Sequence, residues 1–247
     1  MEKAVCYENL RNFAYSNDKI CQGNIKGIVL EFFGLGGAEM YMEDTDNGRR
    51  FAQRGILYII PYYNPWAWMN NQAVSLTDEI VDVLIQHYKL SARIPIVSTG
   101  GSMGGLSSLV YTAKAKRTPV ACVSNCPVCD LPFHYTERPD LPRTLYSAFY
   151  GEDGPMEKAL KTASPLHLAE QMPDVKYYIF HCDEDKAVNK EQHSDRFVAR
   201  LKQNHDVCYH TVKGRGHCDL TDEMRELYNQ YIINSIDNEE NHGFRQL

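Results

Sequence analysis

A serine hydroxyl acts as a nucleophile at neutral pH only with a base beside it and donors for the negative charge it creates. One stretch of this 247-residue chain suits such a serine: Gly100-Gly101-Ser102-Met103-Gly104, of the form G-x-S-x-G. The apolar run Ile94–Thr99 precedes it and the Leu- and Ala-rich stretch Met103–Lys116 follows, so Ser102 falls where a strand gives way to a helix. Such a turn is crowded and needs small neighbours. The helix start beneath it offers unpaired N–H groups and partial positive charge. A glycine-rich turn with a capping serine would read the same way, so Ser102 needs partners elsewhere in the chain.

Nine histidines compete for the role of base. His217, in Gly214-Arg215-Gly216-His217, lies on a loop between an expected strand and the last helix, where Gly216 lets the chain bend inward. His181 and His210 sit at the end of a strand or inside one, and His242 sits in a polar C-terminal stretch. The imidazole must be held in one tautomer by a carboxylate. The stretch from His181 to Val188 offers Asp183, Glu184 and Asp185 on one loop. Serine, acid and histidine follow in that chain order, each behind its own strand, which is the order α/β-hydrolases use.

Apolar runs at Gly27–Phe33, Gly55–Ile60, Ile94–Thr99, Val120–Ser124, Lys176–Phe180 and Val207–Val212 suit strands covered on both faces. Helical patterns lie between them: one opened by a capping-box spacing at Ser75-Leu76-Thr77-Asp78, then Met103–Lys116, Lys190–Leu201 and Leu220–Ile236. The alternation predicts βαβ units and one mostly parallel, doubly wound sheet of about six to eight strands. Residues 131–163, broken by Pro132, Pro139, Pro142 and Pro155, read as a small cap insertion within a single domain, and 238–247 as a flexible tail.

With these residues in place, the chain resembles the α/β-hydrolase superfamily, in particular the catalytic domain of the prolyl oligopeptidase family and its single-domain esterase relatives. The similarity runs from about Lys26 to Tyr231. It is carried by Gly100–Gly104, Ser164-Pro165-Leu166, the loop His181–Val188 and Gly216-His217. The family pattern H-G-x-x-D-x-x-V, laid on that loop, selects Asp185 as the triad acid, with Cys182 in place of the usual glycine. Asn125-Cys126-Pro127-Val128-Cys129-Asp130 resembles the family's P-x-x-D segment. The resemblance also implies an oxyanion hole made by the N–H of Met103 and a donor from the loop after the first strand. Relatives carry H-G-G-G there and this chain reads Phe33-Gly34-Leu35-Gly36-Gly37. Gly34 and Leu35 are both candidates for that donor.

Composition bounds the rest. With 43% hydrophobic and 23% charged residues the chain is globular rather than disordered or fibrous. A net charge of −6 argues against a nucleic-acid partner, and no apolar run approaches the ~20 residues needed to span a bilayer. No leader sequence is visible, and eight scattered cysteines are expected to be reduced thiols in a cytoplasmic protein. Cys126-Pro127-Val128-Cys129 lacks the second knuckle that a structural zinc uses, so neither metal nor cofactor is expected. The aromatic segment Pro61–Asn70 opens on the serine's edge of the sheet. Trp66, Trp68 and His134 are candidates for substrate contact. The expectation is a serine hydrolase acting on a small ester, such as a carbohydrate or aryl ester, through Ser102, His217 and Asp185. The absence of room for a gating propeller favours this over a short-peptide peptidase. A non-catalytic binding protein on the same scaffold is the alternative from another class.

Overall fold

In the computed structural model of the chain, residues 4–152 and 154–243 are described, the side chains as far as 238. Seven strands form one sheet in the order β1-β3-β2-β4-β5-β6-β7. They are β1 (Ala14–Ser16), β2 (Gly27–Phe32), β3 (Ile56–Pro61), β4 (Ile96–Gly101), β5 (Ala121–Asn125), β6 (Lys176–Cys182) and β7 (Val207–Val212). Neighbours run parallel from β3 through β7, and only β1 pairs antiparallel, with β3. This is the mostly parallel α/β-hydrolase sheet. The six expected strands are present, and β1 is an addition too short to show a pattern. Asn17 extends its pairing: the buried amide accepts from the Tyr58 N–H and donates to the carbonyls of Gly48 and Ile56.

Strand alternation sets the two layers. In β2, Ile28, Leu30 and Phe32 face one core with Leu57 and Ile59, while Val29 faces the other with Tyr58, Ile60 and Val97. The first core is covered by α2 (Asn71–His87), α3 (Met103–Lys114) and α8 (Arg196–Leu201), the second by α1 (Asp46–Ala52) and α9 (Asp222–Gly243). No helix among the described residues is long and apolar enough to cross a membrane.

Two local expectations change. Helix α2 begins five residues before the Ser75–Asp78 spacing suggests: the Asn70 side chain caps it by accepting the Ala73 N–H at 3.1 Å. Ser75 and Asp78 are therefore interior, and Asp78 accepts from the Tyr111 hydroxyl at 3.0 Å. Residues 131–163 contain three helices, α4 (Leu131–Glu137), α5 (Leu141–Phe149) and α6 (Met156–Thr162), followed by α7 (Pro165–Leu168). Pro132 and Pro142 lie in first turns, where no backbone donor is missed, so they start helices rather than break them. The expected tail is helical from 238 to Gly243, and 244–247 lie outside the described residues.

Candidate active site

Ser102 follows β4 directly and has φ 60° and ψ −124°, a conformation a non-glycine residue holds only when its surroundings enforce it. The enforcement is visible. The Ser102 N–H donates to the Asn125 carbonyl at 2.9 Å, and the Ser102 carbonyl accepts from Leu106 as α3 begins. Glycine is obligatory at two neighbours: a Cβ on Gly104 would lie 2.0 Å from the Phe32 carbonyl oxygen, and one on Gly100 2.5 Å from the Gly104 oxygen. Tyr228 of α9 props the turn from below. Its hydroxyl accepts from the Gly100 N–H at 3.2 Å, donates to the Val123 carbonyl at 2.9 Å, and meets the Thr99 hydroxyl.

The acid loop hangs from the end of β6. The Asp185 side chain is fully buried. Its Oδ1 accepts the Ala187 and Val188 N–H groups at 2.8 and 3.0 Å, and its Oδ2 lies 2.7 Å from His217 Nδ1 and 3.3 Å from His181 Nε2. Burial alone would raise the pKa of this carboxyl. The bonds from His181, His217 and Val188 overcome it and hold the group far below the usual carboxylate range. Of the other two acids, Asp183 accepts the Gly214 N–H at 2.7 Å and ties the acid loop to the histidine loop, while the Glu184 N–H donates to Arg215. Burial acts to lower the His217 pKa, yet the Asp185 carboxylate outweighs it and lifts the ring to about 9.

Ser102 and His217 line one cleft of about 840 Å³, which Gly34, Leu35 and Phe33 also wall. A Cβ placed on Gly101 would come 3.2 Å from Cys218 Sγ, so the serine turn and the histidine loop touch. Asn125 joins them as well, donating from its side chain to the Cys218 carbonyl at 3.2 Å. Within the Phe33–Gly37 loop, Gly36 donates to the Pro65 carbonyl and Gly37 to that of Gly34. Met103 is the first residue of α3, next to Ser102.

The aromatic candidates sit elsewhere. Trp68 is only 1% exposed, and its Nε1–H donates to Thr144 of α5 at 3.1 Å. His134, 2% exposed, bonds Glu137 and packs edge-on against Trp68. Both hold residues 131–163 to the loop before α2, so neither reaches the cleft. Trp66 is 46% exposed and lies outside the cleft lining. The cleft instead is lined by residues the sequence did not single out: Glu31, Tyr41, Asn47, Tyr58 and Arg138. Burial raises the Glu31 pKa and carries that of Tyr58 well above its ordinary value. Glu31 interrupts an apolar strand, and that interruption was the one signal that could have marked it.

A left-handed serine between a strand and a helix, sharing a cleft with a histidine that is bonded to a buried carboxylate, invites comparison with known hydrolases. The sequence profile of the prolyl oligopeptidase family matches residues 65–245. The chain belongs to that family. Prolyl oligopeptidase-type proteins are serine hydrolases, and solved structures show their fold in this chain. A Pyrococcus horikoshii acylaminoacyl peptidase aligns with TM-score 0.65 and 15% identity over 79% of this chain and 34% of its own. A Mycobacterium tuberculosis puromycin-hydrolyzing peptidase aligns with TM-score 0.62 and 20% identity over 79% and 32%. A Thermogutta terrifontis esterase 2 aligns with TM-score 0.58 and 18% identity over 78% and 75%. This prolyl oligopeptidase-family chain thus spans about a third of the peptidases' length. No curated protein sequence is significantly similar to it.

Proposed function

We propose that the protein hydrolyses small carboxylic esters through an acyl-enzyme on Ser102. His217, held by Asp185 through Nδ1, presents Nε2 to the cleft, takes the Ser102 proton as the hydroxyl attacks the acyl carbon, and returns it to the leaving alcohol. Water then repeats the sequence in reverse and frees the acid. The oxyanion is met by the Met103 N–H at the start of α3 and by an N–H of Gly34 or Leu35, since those of Gly36 and Gly37 are already donated to Pro65 and Gly34. The observation that carries this reading is the shared cleft: a serine in the left-handed conformation opposite a histidine whose far nitrogen is 2.7 Å from a buried carboxylate. The cleft has the size of a small-molecule site, and Phe33, Tyr41 and Tyr58 give it aromatic walls suited to an aryl or short acyl group.

A second reading, a peptidase of short peptides, is favoured by Glu31, whose carboxyl in the same cleft suits a protonated amine. Two measurements separate the readings. A fluorophosphonate probe is expected to label the wild type and spare Ser102→Ala; equal labelling removes Ser102 from the mechanism. p-Nitrophenyl acetate is expected to turn over faster than alanyl-p-nitroanilide. The opposite order, with the anilide activity lost in Glu31→Gln, establishes the peptidase. No hydrolysis of either substrate by folded protein would leave a binding protein on a hydrolase scaffold.

A further inference from the structure

The segment after β5 and the loop before α9 each bring a cysteine to the candidate base. Cys126 has φ 44° and Cys218 φ 58°, left-handed conformations that turn both side chains out of their strand and loop directions. Cys218 Sγ lies 3.7 Å from His217 Nε2. Cys126 Sγ completes a triangle in which two sulfurs and a ring nitrogen of His217 all lie within 4.8 Å of one another. A tetrahedral zinc, with bonds of about 2.3 Å to sulfur and 2.0–2.1 Å to nitrogen, needs ligand atoms roughly 3.5–3.8 Å apart. A small contraction brings the triangle to that size.

Two details favour a metal over a chance cluster. His217 donates Nδ1–H to Asp185, so its neutral ring carries the lone pair on Nε2, beside the sulfurs. A carboxylate behind a histidine is the usual support of a metal-bound imidazole. Cys126 Sγ already accepts two backbone N–H groups, from Cys182 and Cys218, each at 3.4 Å, bonds that a metal-bound thiolate would keep, although the Cys218 contact and burial hold the metal-free thiol protonated. The contrast with His134, Glu137 and His193, which are equally close together, is instructive. There His193 Nδ1 accepts the N–H groups of Cys129 and Asp130, so its proton sits on Nε2 and is donated to Glu137. That ring has no lone pair to give a metal.

We propose that Cys126, Cys218 and Nε2 of His217 form an inhibitory site for a thiophilic divalent cation, zinc foremost, which switches the enzyme off by occupying its base. Binding forms two metal–sulfur bonds and one metal–nitrogen bond; both thiol protons leave to solvent, as does the Nε2 proton of His217 below about pH 9, with no change of oxidation state. The fourth position opens on the cleft, where water or the Ser102 hydroxyl completes the tetrahedron. Thiolates select zinc or cadmium over magnesium and calcium. Inhibition rests on the esterase reading above, whereas binding does not.

The test is a titration of chelator-stripped protein with cobalt(II) and, separately, with zinc. One equivalent of cobalt is expected to give tetrahedral visible bands and a thiolate-to-cobalt charge-transfer band. Cys126→Ser and Cys218→Ser lose the charge-transfer band, and Cys21→Ser, remote from the site, keeps it. Zinc is expected to inhibit p-nitrophenyl acetate hydrolysis reversibly with EDTA and magnesium is not. Each cysteine variant, referred to its own metal-free rate, needs at least tenfold more zinc. If Cys126→Ser does not fold, Cys218→Ser, whose thiol is partly exposed, decides alone. Absence of the charge-transfer band overturns the site, and equal zinc inhibition of wild type and variants moves it to the cleft carboxylates. If the metal-free enzyme hydrolyses no ester, the cobalt spectra still decide the site while the esterase reading falls.

Discussion

Two histidine–carboxylate clusters flank the acid loop. In one, Asp185 holds His217 and His181; in the other, Glu137 holds His134 and His193 and also accepts the Asn189 N–H at 3.4 Å from the far end of the loop. The chemistry of the pairs is the same, and their second ring nitrogens differ. His217 lines a cleft that also contains a serine, with Cys218 Sγ 3.7 Å from its Nε2. His193 has its other nitrogen closed off by two backbone N–H groups and its ring fully buried. Access of the second nitrogen separates the base proposed for the reaction from a clamp that fastens α4 to the acid loop.

The difference can be broken from either side. Asp185→Asn is expected to cost roughly 10⁴-fold in kcat for p-nitrophenyl acetate, because the wrong tautomer of His217 is then held in place. Glu137→Gln should leave the rate per folded molecule unchanged and lower stability by about 3 kcal/mol in urea unfolding, since two buried rings lose their carboxylate. An effect of Glu137→Gln on kcat as large as that of Asp185→Asn would erase the distinction. Acid sharpens it. The two histidines outweigh burial to hold Glu137 down at about 2, below its unfolded value of about 4.3. Its stabilisation is therefore complete above that value and disappears as pH falls toward 2. His134, lowered by burial, adds a shallower loss that begins as pH falls through the ordinary histidine range. Wild type should lose stability steeply between about pH 4.5 and 2, and in Glu137→Gln that limb should be shallower, the share that Asp185 contributes remaining. Smallest is Trp68→Phe, expected to cost about 1 kcal/mol for the Thr144 hydrogen bond and to leave KM unchanged; a raised KM would return Trp68 to the substrate.

What was legible in the sequence follows the reach of local signals. The inner strands were visible because they are covered on both faces and read as near-continuous apolar runs, and the edge strand β7, only partly buried, because of its β-branched and aromatic residues, whereas β1 has three residues and depends on Asn17 to finish its pairing. Ser102 was marked by glycines that the close approach of Phe32 makes obligatory. Asp185 could be told from Asp183 only by resemblance, because both carboxylates bind backbone N–H groups and differ in what they face. The tryptophans misled for a physical reason. An aromatic loop at the active edge of a sheet and an aromatic loop packed under an insertion have the same composition, and only tertiary contact separates them. The cysteine pair around His217 was invisible because Cys126 and Cys218 are 92 positions apart and meet only when β5 and the histidine loop close together.

The Tyr228 prop has a consequence in time. It lies 128 positions after the glycine whose N–H it receives. On a ribosome adding about 5–20 residues per second, the nucleophile turn waits roughly 6–25 seconds for the helix that steadies it. Until then the serine sits on an unbuttressed strand end, and its turn is steadied only after Asp185 and His217 have also been made.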